Sequence, residues 1–364
     1  MMVVSKQYQI FFDFLRFCIS SESEIPSSLK EADWEELYAI AKKQCLVGVL
    51  FDGIKKLPAE QVGMKMGLLF QWIAKNRMLE KANVRLNDAA IQVSEWFRKK
   101  GFRTCILKGQ GNALMYPNPY SRTPGDIDIW VEGGDKRVIS FVRSISSHEK
   151  ACYHHIEFPP YKGIEVEVHY RPSFLLCFWH NRKLQKYYER VKEEQFSHRV
   201  MLGEQGEIAI PMMEFNLIFQ LTHIYAHLMN EGIGLRQLVD YYYVLISDDL
   251  LLIRDRVQKE LKELGLWKFA GGIMYIMQEV FGMPASRLIV PPNEKYGKFV
   301  LNEVLEAGNF GKHDARNRFG RLKLGHNLQR VYRDIRLVKF FPAEALCEPL
   351  FRTWHFFWRL KYKK

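Results

Sequence analysis

Two aspartates one residue apart, Asp126 and Asp128, stand at the start of the apolar run DIDIWV. Successive side chains of a strand point to opposite faces, so these two carboxylates would share one face. Like charges this close repel each other, and a cation is needed to keep both ionised. Hard cations such as Mg²⁺ are bound by one or two carboxylates together with substrate phosphates. The pair therefore predicts a magnesium site that handles a phosphate-bearing ligand.

A later segment, IEVEVHY, predicts a second strand with further acids at the same spacing. Glu165, Glu167 and His169 would share one face of it. A third carboxylate beside the aspartate pair would complete a two-metal site for in-line displacement at phosphorus. The sequence does not say which glutamate is the third acid. His169 is a candidate substrate contact, although packing at the strand end or support of Glu167 is the simpler role.

A glycine-containing turn, Lys108-Gly109-Gln110-Gly111, lies upstream of the pair and opens a short predicted helix. Backbone N–H groups in such a turn can bind phosphate. Lys108 and Arg122 are candidates to neutralise phosphate charge, and arginine can do so with two parallel hydrogen bonds. A dinucleotide-binding turn is rejected, because the third glycine is missing and the acids open their strand instead of following it.

Each of these signals also has an ordinary explanation. A D-x-D pair is common in exposed loops, a Gly-x-Gly turn is usually only a turn, and alternating acids often form a solvated strand face. Together, however, they follow a fixed order within one stretch of the chain: turn and helix, loop, acid-bearing strand, helix, acid-bearing strand. This order favours a phosphate-handling site.

Two pairs of residues on later predicted helices stand four apart. His223 and His227 lack the H-E-x-x-H pattern, so a structural or substrate-contacting role is favoured over metal binding. Arg236 and Asp240 are most simply a helix ion pair, with a substrate contact by Arg236 as the alternative.

The composition is that of a folded chain with a sizeable core. Of its 364 residues, 48% are hydrophobic, which as a soft expectation suggests two or three domains. No apolar stretch approaches the roughly 20 residues of a membrane helix. The start, MMVVSKQYQIFFDFLRFCIS, lacks a basic segment, an unbroken apolar run and a small-residue cleavage site, so no signal peptide is predicted.

Six scattered cysteines include no C-x-x-C pair, so a zinc cluster is not expected. A chain of this size needs no disulfide framework, and we expect free thiols in a reducing cytoplasm. The adjacent His154 and His155 carry little information from sequence alone.

The net charge of +12 is compatible with nucleic acid, an anionic membrane or phosphate-bearing ligands, and does not choose among them. The tail FRTWHFFWRLKYKK could lie on a membrane surface, but a terminal helix packing its aromatic rings is favoured. The basic segment KHDARNRFGRLKLGHNLQRVYRDIRLVK is equally consistent with nucleic-acid binding and with a packed helix that has a basic outer face. A nucleic-acid partner is therefore open but not favoured.

Helical and mixed segments alternate along the chain. Residues 1–100 predict helices, with Asp33 as an N-cap and a long helix ending at Gly101. Residues 101–205 predict a small α/β unit whose last two strands form a hairpin, and residues 206–364 predict a C-terminal helical region. The fold class expected is α+β, a small mixed sheet with helices set between two helical regions.

These motifs carry a family resemblance. LKGQGNALMYPNPYSRTPGDIDIWV followed by VEVHYRP resembles a bacterial nucleotidyltransferase-like family with an LKG…Y…R…DIDLLV…VELHW pattern, within the DNA polymerase beta-type nucleotidyltransferase superfamily. LTHIYAHLMNEGIGLRQLVDYYYVL resembles that family's later helical segment. The resemblance extends over residues ~30 to 250 and implies the small mixed nucleotidyltransferase sheet.

The resemblance also implies roles for particular residues. Asp126 and Asp128 match the metal-binding pair, Glu167 the third acid and Gly109 the first glycine of the phosphate turn. Gln110 departs from the family's glycine or serine, and its larger side chain would crowd a triphosphate.

The activity implied is transfer of a nucleoside monophosphate from an NTP to a hydroxyl of a small molecule, sugar or protein. Two Mg²⁺ ions would assist attack on the α-phosphate and release of pyrophosphate. Asp128→Ala is expected to abolish turnover and leave the fold intact. The alternative is a non-catalytic nucleotide- or RNA-binding protein on the same fold. The nucleotide base, the acceptor and the oligomeric state are not predicted.

Overall fold

The computed structural model describes residues 5–20, 24–58, 63–204, 206–247, 249–314, 316 and 323–362. Helices dominate these ranges and surround a mixed four-stranded sheet, which confirms the α+β class. Within them, no helix has both the length and the apolar character needed to span a membrane. All six cysteines are free thiols, as expected.

Four helices form the N-terminal part: α1 (Lys6–Ile19), α2 (Trp34–Lys43), α3 (Val47–Ile54) and α4 (Met66–Lys99). Asp33 caps α2 as predicted, because its carboxylate accepts hydrogen bonds from two first-turn N–H groups. A cap of this kind is worth about 1 kcal/mol. The long helix α4 ends before Gly101, whose φ of 79° is the left-handed conformation that follows many helices.

The sheet contains β1 (Thr104–Ile106), β2 (Ile127–Val131), β3 (His155–Tyr161) and β4 (Ile164–His169). Its strand order is β1-β2-β4-β3; β2 and β4 are parallel and both outer pairs are antiparallel. The predicted hairpin is confirmed in β3 and β4. Lys162 and Gly163 connect them with φ values of 52° and 79°, as a tight two-residue hairpin turn requires.

Short elements complete this part of the chain: α5 (Gln110–Ala113), α6 (Gly134–Ile145), α7 (Phe178–Ser197), β5 (Arg199–Met201) and β6 (Glu207–Ala209). The sequence does not predict the β5–β6 hairpin, because strands of three residues are too short to show alternation.

The C-terminal part is helical, as expected: α8 (Met213–Asn230), α9 (Leu235–Leu245), α10 (Leu250–Glu263), α11 (Trp267–Glu279), α12 (Glu294–Ala307), α13 (Lys323–Val338) and α14 (Pro342–Lys361).

Three aromatic residues of α14 pack edge-on against Tyr153, namely Phe351, Trp354 and Trp358. Leu350 and Phe357 of the same helix are exposed. The tail therefore packs some of its aromatic rings and leaves other apolar side chains in solvent. Part of the basic segment before α13 lies outside the described residues.

Two hydrophobic cores fix the orientation of the sheet. The smaller core lies between α4, α6 and one sheet face, to which β2 contributes Ile127, Ile129 and Val131. The larger core joins the N- and C-terminal helices and takes in Trp130 from the other face. It draws residues from all three predicted segments, so the boundaries near residues 100 and 205 stay predictions. Because β2 alternates, its acids point away from the smaller core and toward helices α8 and α9.

Candidate active site

Asp126, Asp128 and Glu167 meet where β2 and β4 run side by side. Asp128 and Glu167 are register partners across the parallel pair, and Asp126 lies just before β2. One carboxylate oxygen of each acid lies within 4.8 Å of the other two. Glu165 lies on the same strand but is exposed and outside this group. The geometry thus places Glu167 beside the aspartates.

Asp128 is buried and held by two cationic side chains. Its Oδ1 lies 3.1 Å from Lys108 Nζ and 3.0 Å from His169 Nε2. Burial opposes its charge, but Lys108 and His169 outweigh that effect and hold the pKa of the Asp128 carboxyl well below its usual range. Burial likewise opposes the charge of His169, yet hydrogen bonds to Asp128 and Glu167 raise the pKa of His169 to about 9. Asp128 is therefore ionised, in a fixed orientation.

The negative charges of the acid cluster are not fully compensated by the neighbouring side chains. The charge of Asp128, followed by burial, raises the pKa of Asp126. The second oxygen of Asp128, Oδ2, is buried and accepts no hydrogen bond from the described residues. Mg²⁺ prefers carboxylate oxygens, and an added cation would relieve the repulsion between these acids. The residues present therefore fit a hard divalent cation.

The glycine turn connects β1 to α5 beside this cluster. Gly109 has a φ of 64°, which favours glycine over any other residue. The side chain of Gln110 turns away from the cleft, since it is only 3% exposed and donates a hydrogen bond to Asn87 of α4. The crowding expected from Gln110 does not arise, because its side chain lies in the core.

Arg122 forms a buried ion pair with Asp240 of α9. Its Nε and Nη2 each donate to a different carboxylate oxygen at 2.8 Å, and the Tyr116 hydroxyl donates to the same carboxylate. The helix ion pair expected between Arg236 and Asp240 is wrong, because both oxygens of Asp240 are taken by Arg122. The Nε and Nη2 groups of Arg122 are already used to bind Asp240. Phosphate binding by Arg122 stays a prediction.

Arg236 is consequently a buried cation with no carboxylate at ion-pair distance among the described residues, although the charge of Asp240 still attracts it. It is 8% exposed, its Nη1 donates to the Thr123 carbonyl at 3.0 Å, and its Nε has no hydrogen-bond partner there. Burial, followed by repulsion from Arg122, lowers the pKa of Arg236. An unpaired guanidinium at the wall of a cleft is suited to bind an anion.

His223 and His227 project from α8 into the same cleft. His223 Nε2 lies 3.2 Å from Lys108 Nζ, and His227 Nδ1 lies 3.4 Å from a Glu231 oxygen. Burial and the charge of Lys108 hold the pKa of His223 well below its usual range, so His223 is neutral and accepts a hydrogen bond from Lys108. Within the described ranges, neither histidine belongs to a group of metal ligands.

Two further residues lie at the site, His154 and His155, and neither was predicted there from the sequence. His155 Nδ1 lies 3.3 Å from Glu167 Oε2 and 3.0 Å from His154 Nε2. A register irregularity between Phe158 and Tyr161 places His155 opposite His169. Counting back from the hairpin turn without it would misplace His155 by one residue and put it on the other face. The two adjacent histidines could have drawn attention to this segment. The register irregularity, however, prevents the sequence from showing that His155 faces the acid cluster.

The cleft has two lobes that meet at the acid cluster. Both lobes are lined by Lys108, Asp126, Asp128, His223 and Phe310. The narrow lobe, of about 30 Å³, extends toward Gly109, Arg122 and Arg236. The wide lobe, of about 620 Å³, extends toward the four histidines at positions 154, 155, 169 and 227 and toward Lys312 and Arg330. The predicted site residues thus line one or both lobes of a single cleft. The side chain of Gln110 is the exception.

Comparison with known families agrees with this geometry. A family profile described as an uncharacterised nucleotidyltransferase matches residues 30–282. The match spans helices α2 to α4, the whole sheet and helices α5 to α11, which include α8 and α9 beside the cleft. The chain belongs to this family and is, by class, a nucleotidyltransferase, which confirms the resemblance seen in its sequence. No curated protein and no solved structure matches the chain.

Proposed function

We propose that this enzyme transfers a nucleoside monophosphate from a nucleoside triphosphate to a hydroxyl group, using Mg²⁺ held by Asp126, Asp128 and Glu167. The observation that carries the proposal is the three-carboxylate cluster at the junction of two lobes of one cleft. Lys108 and Arg236 line the cleft beside it. A divalent cation and the phosphates of a nucleotide would therefore meet at one point.

The protein orients the acids before any ligand arrives. Lys108 and His169 fix one oxygen of Asp128, and the other, Oδ2, has no hydrogen-bond partner among the described residues and would be available to a cation. His169 and His155 restrain Glu167 in the same way. Bound cations, two in the full proposal, would polarise the phosphoryl oxygens and lower the pKa of the acceptor hydroxyl.

The triphosphate is proposed to lie where the two lobes meet, with one phosphate group at the entrance of the narrow lobe, whose volume of about 30 Å³ is too small for the whole triphosphate. Lys108 and Arg236 offer positive charge, and Gly109 allows the backbone at Gln110 to approach a phosphate. Arg122 would add a further contact through the part of its guanidinium not used by Asp240. As the acceptor oxygen bonds to the α-phosphorus, the bond to pyrophosphate breaks in line with it.

The wide lobe is the proposed place for the acceptor or for the nucleoside. Its volume of about 620 Å³ lies within the range of small-molecule sites, about 300–1,000 Å³. His223 and His227 on its wall are candidate substrate contacts, as is His169 where it faces this space.

The test is release of pyrophosphate from each of the four NTPs with Mg²⁺, together with transfer of an α-phosphate label to small hydroxyl compounds and to the protein itself. Asp126→Asn is expected to lose the signal, and the matched control Glu165→Gln to keep it. Equal turnover by Asp126→Asn and wild type would refute the proposal. Nucleotide binding without turnover by the wild type would favour the non-catalytic alternative.

A further inference from the structure

We propose that Cys152, His154 and His155 form a separate site for one divalent transition-metal ion of the zinc type, at the rim of the wide lobe. This inference does not depend on the proposed nucleotidyl transfer. It concerns nitrogen and sulfur ligands, whereas the proposed Mg²⁺ site uses only carboxylate oxygens.

The three donors already lie close together. One ligand atom from each residue lies within 4.8 Å of the other two. His155 Nδ1 is 3.0 Å from His154 Nε2, whereas Cys152 Sγ is 4.0 Å from the other ring nitrogen of His154, Nδ1. Ligand atoms around tetrahedral zinc are separated by roughly 3.3–3.6 Å, given its usual bond lengths. Only one nitrogen of His154 can bind the ion, so the His154 ring or the Cys152 thiol must rotate to bring all three donors onto it.

The donor chemistry selects a borderline or soft metal. Imidazole and thiolate suit zinc and related ions, whereas carboxylates suit magnesium. Metal binding requires the two imidazole rings in their neutral form and the cysteine as a thiolate, so binding of the ion would release the Cys152 thiol proton to solvent.

Hydrogen bonds within this segment and from Tyr170 fix its backbone, as surrounding contacts fix metal ligands. The Cys152 N–H donates to the His155 carbonyl at 2.9 Å, and the Tyr170 N–H donates to the His154 carbonyl at 3.0 Å. The Tyr170 hydroxyl also donates to the Cys152 carbonyl. The segment is held in a shape that directs the three side chains toward one another.

A fourth ligand position lies beside the wide lobe. Glu167 Oε2 is 3.3 Å from His155 Nδ1, and these two residues form a further compact group with His169. A water molecule would complete the coordination of the ion, because Glu167 belongs to the acid cluster. The proposed zinc-type site thus adjoins the acid cluster without sharing a ligand with it.

Another group with a cysteine, formed by Cys177, His180 and Glu344, supplies the matched control. One carboxylate oxygen of Glu344 already accepts the N–H groups of Leu176 and Cys177. The other oxygen, Oε1, lies 3.7 Å from His180 Nδ1. Cys177→Ser removes a thiol outside the proposed site, and it should therefore leave the Co²⁺ spectrum unchanged.

The experiment is titration of metal-free full-length protein with Co²⁺ alone, followed by absorption spectroscopy. We expect one equivalent to give a sulfur-to-cobalt charge-transfer band and the visible bands of tetrahedral cobalt. Cys152→Ser should lose the charge-transfer band, and Cys177→Ser should keep it. A wild type with no charge-transfer band, or a band that survives in Cys152→Ser, would overturn the proposal.

Two further variants keep the result interpretable. His154→Gln should weaken Co²⁺ binding and change the visible bands, which tests the site even if Cys152→Ser folds poorly; unchanged binding and bands would count against it. Asp126→Asn should keep the full cobalt spectrum, because it alters only the acid cluster. Loss of the spectrum in Asp126→Asn would instead place the cobalt at the acids and refute a separate site.

Discussion

Two buried clusters of charge join the sheet unit to the C-terminal helices, and they differ in how fully their charges are satisfied. Arg122 and Asp240 form a closed pair with two hydrogen bonds of 2.8 Å, and both oxygens of Asp240 are used. In the other cluster, three acids including Asp128 gather beside Lys108 and His169, and Asp128 Oδ2 accepts no hydrogen bond from the described residues.

The difference separates a structural role from a ligand-binding role. A satisfied buried pair gains nothing from a ligand, and removal of one partner leaves a costly unpaired charge. A cluster with crowded acids and an unused oxygen gains from a cation. By the same reasoning, Arg236 is expected to bind a ligand, because it forms no ion pair with Asp240.

The largest expected effect is on turnover in Asp126→Asn. Loss of one metal-binding carboxylate should reduce kcat/KM by at least about 10³-fold, since the electrostatic stabilisation lost is several kcal/mol. The melting temperature without metal should not fall, because the change removes a charge that repels Asp128. Kinetic assays and thermal unfolding of the same samples would check both parts. A lowered melting temperature would contradict the claim of acid crowding.

Asp128→Ala is the less suitable variant. From the sequence it should be neutral to the fold, but the structure shows that it would leave Lys108 and His169 buried without their shared partner. Loss of stability is therefore expected together with loss of turnover.

The second effect is on stability in Arg122→Met. Removing one partner of the buried pair should lower the free energy of unfolding by about 3–5 kcal/mol. The double variant Arg122→Met/Asp240→Leu should recover a large part of this loss, because neither charge then remains unpaired. Denaturant unfolding of the three proteins would measure it. Equal stability of Arg122→Met and wild type, with much weaker nucleotide binding, would assign Arg122 to phosphate instead.

The sequence predicted the framework of the site better than its interior. Alternation and turn chemistry are local, so the D-x-D strand, the hairpin and the capped helix α2 could be predicted. The partner of Asp240 could not, since Arg122 lies 118 residues away in sequence and the helix spacing favoured Arg236. The direction of the Gln110 side chain also depends on α4, which no local pattern reveals.

The third effect is on nucleotide affinity in Arg236→Met. Loss of a charged hydrogen bond to phosphate should weaken binding about 10- to 100-fold, which corresponds to about 1.5–3 kcal/mol. Stability should change little, since relief of the burial cost of the guanidinium offsets the lost hydrogen bond to the Thr123 carbonyl and the lost contact with the Phe310 ring. Calorimetric titration together with thermal unfolding would check this. Unchanged affinity would remove Arg236 from the site.

The smallest effect is on how stability depends on pH through the ion pair of Arg122 and Asp240. Burial alone would raise the pKa of Asp240, but Arg122 outweighs it and lowers that pKa below the usual value. The resulting stability is present above the unfolded-state pKa of about 3.9 and is lost as pH falls through the folded-state pKa. Asp240→Asn should therefore be less stable at neutral pH but show a shallower decline in acid. Parallel declines of both proteins would contradict the assignment.

The central claim is that the acid cluster binds nucleotide through a divalent cation. The most direct measurement is calorimetric titration of ATP, GTP, CTP and UTP into wild type, Asp126→Asn and Glu165→Gln, with and without Mg²⁺. The account predicts Mg²⁺-dependent binding of at least one nucleotide by wild type and Glu165→Gln, and its loss in Asp126→Asn. Equal binding by all three proteins, or binding that ignores Mg²⁺, would contradict it.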